Sequence, residues 1–346
     1  MPAHLPEHRI PHEVTEQLRA TIASAGITTD ADLVARILAT GVGLGLDETD
    51  RLDLKITSAA LSEMRAAFRL FAPYSGIPKV TVFGSARTRG EDRLYRQTVE
   101  VTEALAAEGW MVVTGAGPGI MQAAAEGAGS EHSLGVSIRL PFEEKPNAVI
   151  AAHERNVAMK YFFTRKLMLV KESRGFICLP GGFGTLDEMF ELLTLQQTGK
   201  ADPTPIVLLD APGGTFWTGL ETFVHEHLIP ARVISPDDFD RVLVTDSIAA
   251  ATGEILGFWR NYDSLRWVGK RLVLRLRTEP TGEQVEQLNR DFGDLLAEGR
   301  IEHRGALRAE REDDDQVQLP RLVMQLNQFR VGDLYRLIRA INRLSP

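Results

Sequence analysis

From residue 79 onward the chain alternates between short apolar runs and longer stretches of helical period, and this alternation narrows its possible folds more than any other feature. Strands are predicted at 79–83, 110–114, 134–138, 175–179 and 205–209, with helices near 91–108, 119–129, 159–172, 185–198 and 215–228. Apolar runs this short, alternating with helices, imply a parallel sheet covered by helices on both faces. Ligands of such sheets sit at the carboxyl ends of the strands. Three of those ends lead into glycine-bearing loops: Gly84-Ser-Ala-Arg87, Gly115-Ala-Gly-Pro-Gly119 and Pro180-Gly-Gly-Phe-Gly-Thr185. All three loops are expected on one edge.

The third loop carries the most chemistry. Gly181, Gly182 and Gly184 are able to take backbone angles closed to other residues, so that their N–H groups converge on one point. The helix that follows adds unpaired N–H groups and the positive end of its dipole, which together seat a phosphate. Thr185, Asp187 and Glu188 are predicted in its first turn. An acid there either complements the dipole or acts on whatever the phosphate is attached to; Asp187 reads as a cap. Gly115-Ala-Gly-Pro-Gly119 resembles a dinucleotide fingerprint only loosely, because Ile138-Arg-Leu stands where a ribose-binding acid is expected. The Walker spacing is absent, and a mononucleotide fits better.

Two flanking regions have different textures. Residues 1–76 read as a helical extension, with apolar spacing near 14–22, 32–37 and 60–68, and Pro73-Tyr-Ser-Gly-Ile-Pro78 ends it. A nucleotide-binding catalytic domain is expected at 77–263. Residues 264–346 suggest a small α+β module of βαββα order, serving oligomerisation or regulation, with strands at 270–277, 300–310 and 319–326 and helices at 282–296 and 331–344. The acidic run 310–315, broken only by Arg311, reads as a solvated turn.

Composition excludes several classes. A formal net charge of −8 over 346 residues gives no support to nucleic-acid binding. No apolar run approaches the ~18 residues of a membrane span and the start lacks a signal-peptide block, so a cytoplasmic protein with no membrane partner is expected. The single cysteine, Cys178, lies inside an apolar run and reads as a buried structural thiol. His4, His8 and His12 share a spacing of four, but prolines at 2, 6 and 11 argue against a helix that aligns them. His225 and His227 point to different faces of a predicted helix, and no metal is expected.

The Gly84-Ser-Ala-Arg87 loop, the Thr114-Gly-Ala-Gly-Pro-Gly-Ile-Met121 loop, and Arg165-Lys166 followed by Pro180-Gly-Gly-Phe-Gly-Thr-Leu-Asp-Glu188 closely resemble the Lonely Guy family, Rossmann-like proteins once labelled "lysine decarboxylase". The resemblance runs from about residue 79 to 199. It implies a doubly wound Rossmann-like sheet and a phosphoribohydrolase that splits the N-glycosidic bond of a nucleoside 5′-monophosphate, such as AMP or a cytokinin riboside monophosphate, giving free base and ribose 5-phosphate. It further implies a homodimer or an assembly of dimers and no cofactor. On that basis Arg165 and Glu188 take catalytic roles. Gly84, Ser85, Arg87, Gly115, Gly117, Gly119, Lys166, Gly181, Gly182, Gly184 and Thr185 contribute to phosphate or substrate binding. Asp187 departs from the glutamate of the common small members, which also lack the helical leader and the tail. The alternative reading is a non-catalytic sensor or carrier that binds a nucleotide or phosphorylated cofactor in the same cradle.

Overall fold

The computed structural model describes residues 10–140, 146–151, 155–327, 330 and 333–344. His4 and His8 lie outside the described residues. The chain divides into two compact units, one up to Arg65 and one from Ala66 onward. In the first, α1 (His12–Ser24) packs with α2 (Ala31–Leu46), and α3 (Arg51–Phe71) runs across the division. Leu33, Ile37 and Leu52 of these helices are exposed.

The second unit holds a seven-stranded parallel sheet, the Rossmann-like α/β architecture that the alternation predicts. Its strands are β1 (Lys79–Phe83), β2 (Met111–Thr114), β3 (Ser133–Ile138), β4 (Asn156–Met159), β5 (Gly175–Cys178), β6 (Ile206–Leu209) and β7 (Val242–Thr245). They lie in the order β4-β3-β2-β1-β5-β6-β7. The helices between them are α4 (Arg93–Ala107), α5 (Ile120–Ala128), α6 (Ala148–Ala151), α7 (Phe162–Lys171), α8 (Phe183–Gln197), α9 (Phe216–Phe223) and α10 (Ile248–Gly257). The chain builds outward from β1 to β4, then returns to the other side of β1 with β5. β1 pairs with both β2 and β5, so the direction of winding reverses between β1 and β5 and opens a crevice there.

β1, β2, β5 and β6 are buried at every position, as their unbroken apolar runs require. On one face Val80, Val82, Val112, Ile177 and Val207 pack with Leu105 of α4, Ile120 of α5 and Ile255 of α10. On the other, Thr81 donates from Oγ1 to the Leu169 carbonyl of α7 at 3.1 Å. β4 and β7 escaped the sequence reading. Both are edge strands with part-exposed positions, so neither shows a continuous apolar run.

A four-stranded antiparallel sheet follows, from β8 (Tyr262–Val268), β9 (Arg271–Leu276), β10 (Leu296–Arg304) and β11 (Arg321–Leu326), ordered β10-β11-β9-β8. With α11 (Gly282–Phe292), α12 (Arg308–Glu312) and α13 (Leu334–Arg343) the order from β9 onward is the expected βαββα except that the short α12 stands between β10 and β11, and β8 adds a strand ahead of it. Leu272, Leu274, Leu322 and Met324 pack against Leu288 of α11 and Ile338 of α13.

The two ends of the acidic run depart from the expected solvated turn. Arg275 of β9 and Arg321 of β11 stand directly opposite one another and are both buried, which places two guanidinium groups side by side. Such a pair is unfavourable without carboxylates. Glu310, fully buried, accepts from Arg275 at 2.9 Å and lies 3.5 Å from Arg321 Nε, while Asp315 accepts from Arg275 and Arg266, each at 2.7 Å. Glu310 and Asp315 are therefore the counter-charge of a buried cation pair, while Glu312, Asp313 and Asp314 between them stay exposed, as the sequence reading expects.

Candidate active site

The crevice between β1 and β5 opens into a cavity of about 740 Å³. The loops after β1, β2 and β5 converge on it and hold one another by main-chain bonds. Ser85 N donates to the Pro180 carbonyl at 3.3 Å, and Ile120 N to the Ser85 carbonyl at 3.0 Å. Of the sequence-predicted residues, Gly84, Ser85, Arg87, Gly115, Arg165, Gly181, Gly182, Gly184, Thr185 and Glu188 line the cavity.

Gly117, Gly119 and Lys166 do not. Gly119 precedes α5 with a φ of 67°, and a Cβ there would stand 2.4 Å from the Ser85 carbonyl, so it serves the junction of two loops. Gly117 lies against Met121. Lys166 is turned away, with Nζ 2.7 Å from Asp187 and 3.0 Å from Glu191. The same contact corrects the reading of Asp187 as a cap. α8 starts at Phe183, two residues earlier than expected, so Asp187 is beyond the first turn and pairs with Lys166 instead.

The glycines of the third loop also work differently from expectation. None of Gly181, Gly182 and Gly184 has a positive φ. Gly181 is required by close approach, since a Cβ would meet Thr185 Oγ1 at 2.2 Å. At Gly182 and Gly184 a Cβ would meet nothing within 4 Å. What these two contribute is open space above the N-terminus of α8, where the first N–H groups lack intrahelical partners and the dipole favours an anion.

Arg165 and Glu188 form the floor. α7 presents Arg165, whose Nε donates to the Val136 carbonyl of β3 at 2.9 Å and whose Nη1 donates to Glu188 Oε1 at 3.0 Å. Gly115 makes room for it, because a Cβ would lie 2.1 Å from Nη2. The pair is nearly buried, with side chains 10% and 12% exposed. Burial pushes the Glu188 carboxyl up to about 7, against the opposing pull of Arg165 and Lys166, and with a further push from Asp187 and Glu191. A carboxyl in that range both accepts and donates a proton near neutrality. Cys178 is buried beneath, its thiol pushed up by burial and then by Glu188, as befits a packing residue.

Of the cavity residues that carried no assigned role in the sequence reading, two stand out. Met121 packs its sulfur against Gly115 and Gly117. Phe183, at the lip, is 92% exposed. An aromatic between two cradle glycines was the visible signal for the latter; Met121 gave none beyond its place in the matching loop.

Comparison with known proteins agrees with this geometry. A family profile described as "Possible lysine decarboxylase" matches residues 119–255. The cytokinin riboside 5′-monophosphate phosphoribohydrolase of Mycobacterium tuberculosis is 32% identical over 164 residues, which cover 46% of this chain and 83% of that protein. Its namesake from Mycobacterium marinum is 31% identical over 153 residues, covering 43% and 78%. Among solved structures, the molybdenum cofactor binding protein from Rippkaea orientalis is 21% identical, covers 50% of this chain and 91% of that one, and superposes with a TM-score of 0.36. That superposition is too loose to add to the fold described above. The fold and site are those of an α/β protein with an anion cradle facing a buried arginine–glutamate pair. The chain belongs to the Lonely Guy family, to which the lysine decarboxylase label was formerly attached.

Proposed function

We propose that this chain hydrolyses the N-glycosidic bond of a nucleoside 5′-monophosphate, AMP or a cytokinin riboside monophosphate, releasing free base and ribose 5-phosphate. The buried Arg165–Glu188 pair, lining the same cavity as the α8 N-terminus, carries this reading. The relatives named above as phosphoribohydrolases support it.

In this reaction the 5′-phosphate sits over Gly182 and Gly184 at the helix N-terminus, with Ser85, Thr185 and Arg87 around it. Anchoring the phosphate turns remote binding energy into orientation of the ribose. As the C1′–N bond breaks, its electron pair leaves with the base and positive charge grows on the ribose. Glu188 as carboxylate stabilises that charge and takes a proton from the water whose oxygen bonds C1′; the leaving base takes a proton from solvent and Glu188 later returns its own, so that water is added across the C1′–N bond. Arg165 holds Glu188 in place and offers its second amino group to a ribose hydroxyl or phosphate.

The test is base release, followed by chromatography, from purine and pyrimidine 5′-monophosphates and their unphosphorylated nucleosides. Release from monophosphates only, lost by at least about 100-fold in Glu188→Gln and Arg165→Ala, is the expected result. Tight nucleotide binding without release from any substrate would favour the sensor or carrier instead.

A homodimer is part of the same proposal, in a cytoplasmic setting that suits a nucleotide substrate. α7 and α8, tied together through Lys166, carry exposed Phe162, Phe163, Leu167 and Phe190 beside the cavity, and apolar side chains grouped in this way favour a partner surface. Light scattering should give twice the chain mass for wild type and a monomer for Leu167→Glu.

A further inference from the structure

At the opposite end of β1 from the glycine cradle lies a second cavity, of about 670 Å³. Five charged residues line it, and four are cations: Lys79, Lys171, Arg174 and Arg277, against Glu172 alone. In a chain of net charge −8 this local excess stands out. We propose that it is a binding site for a small polyanion of the oligophosphate class, separate from the cradle by the length of β1, roughly 13 Å.

Two of the cations are hard to explain otherwise. Lys79 is 2% exposed at the start of β1, where an apolar residue would pack without penalty. Its Nζ donates to the Tyr74 carbonyl at 2.6 Å and the Ile77 carbonyl at 3.0 Å, which leaves the third proton for a ligand. Burial lowers the Lys79 pKa, Glu172 opposes this, and Arg174 and Lys171 lower it further. A bound anion relieves that mutual repulsion.

Arg174 follows α7 and lies over the Trp259 ring at 5.0 Å. Among the described residues no carboxylate comes within 4.0 Å of its guanidinium, so its planar fork is available for bidentate contact with phosphate oxygens. Arg277, at the end of β9, has Asp263 at 3.8 Å as its partner and is half exposed. A neighbouring cavity of about 490 Å³ shares Lys171, Ser173, Arg174 and Trp259 with the first. Arg174 therefore borders both cavities. Occupancy has a physical route to the active site, because α7 runs from Arg165 to Lys171 and β1 from Lys79 to the cradle.

Calorimetric titration of the full chain with inorganic tripolyphosphate, at two salt concentrations, tests the proposal. Wild type should bind it saturably, more tightly at low salt, and the double variant Arg174→Ala/Arg277→Ala should bind at least about tenfold more weakly while melting at the same temperature, since both side chains are exposed. Arg165→Ala should bind as wild type does. Equal affinity in the double variant, or binding lost in Arg165→Ala instead, would assign the anion to the glycine cradle and overturn the proposal. So would failure of wild type to bind at millimolar concentration.

Discussion

Glu188 carries the proposed chemistry, and its environment also bears on stability, independent of turnover. Its folded pKa of about 7 exceeds the roughly 4.3 of an unfolded glutamate. Between those values the folded chain binds more protons than the unfolded one, so the contribution of Glu188 to stability falls as pH rises across the window. A glutamine in its place would not titrate. Glu188→Gln should therefore gain stability relative to wild type between pH 4 and pH 8, by up to about 3 kcal/mol in denaturant titrations. A difference that stays flat with pH would mean that the carboxylate is well solvated. At this scale Glu188 and the cradle glycines were named as candidates from type and spacing, and Arg165 from the family resemblance. Lys166 was not separable from Arg165, because only the packing of α7 on α8 turns one toward the cavity and the other toward Asp187 and Glu191.

At the scale of elements, the site depends on loops meeting rather than on any single loop. Gly119 joins the β1 and β2 loops through both its positive φ and its contact with the Ser85 carbonyl. Gly119→Ala should lower stability by about 2–4 kcal/mol in thermal or chemical melts, since an L side chain there meets strain and main chain at once. Substitution without effect would show that the junction yields. The five inner strands were readable because burial on both faces leaves an unbroken apolar run. β4, β7 and β8 were not, since their exposed positions admit Asn156, Thr245, Asp263 and Arg266 and break the pattern.

At the scale of the molecule, the C-terminal module reaches α8, the helix that carries Glu188. Tyr335 of α13 places its hydroxyl against Gln196 Oε1, near the end of α8, and the Thr204 carbonyl, and accepts from Thr204 N at 2.6 Å. All of these groups are buried. Tyr335→Phe should lower unfolding stability by about 1–3 kcal/mol, because it leaves the Thr204 N–H and the Gln196 oxygen without this partner. A variant as stable as wild type would show that water or a rearrangement replaces the hydroxyl. Asn342 secures the same helix, accepting from Asn261 N and Tyr262 N at 2.9 and 2.8 Å. No helix among the described residues is long and apolar enough to cross a membrane.

Arg165 was reached through the family resemblance, whereas the sequence by itself determined the parallel sheet, the edge on which the three loops gather, and the glycines and carboxylates at the third of them. These follow from local period and residue type, which are properties of neighbours along the chain. Tertiary structure alone decided that Glu188 is buried enough to titrate near neutrality, that Lys166 serves α8 rather than the cavity, that Glu310 and Asp315 at the ends of the acidic run neutralise Arg275 and Arg321, and that Lys79 and Arg174 share a cavity with Arg277. Each of these depends on distance and dielectric between segments far apart in sequence, and no local pattern encodes either.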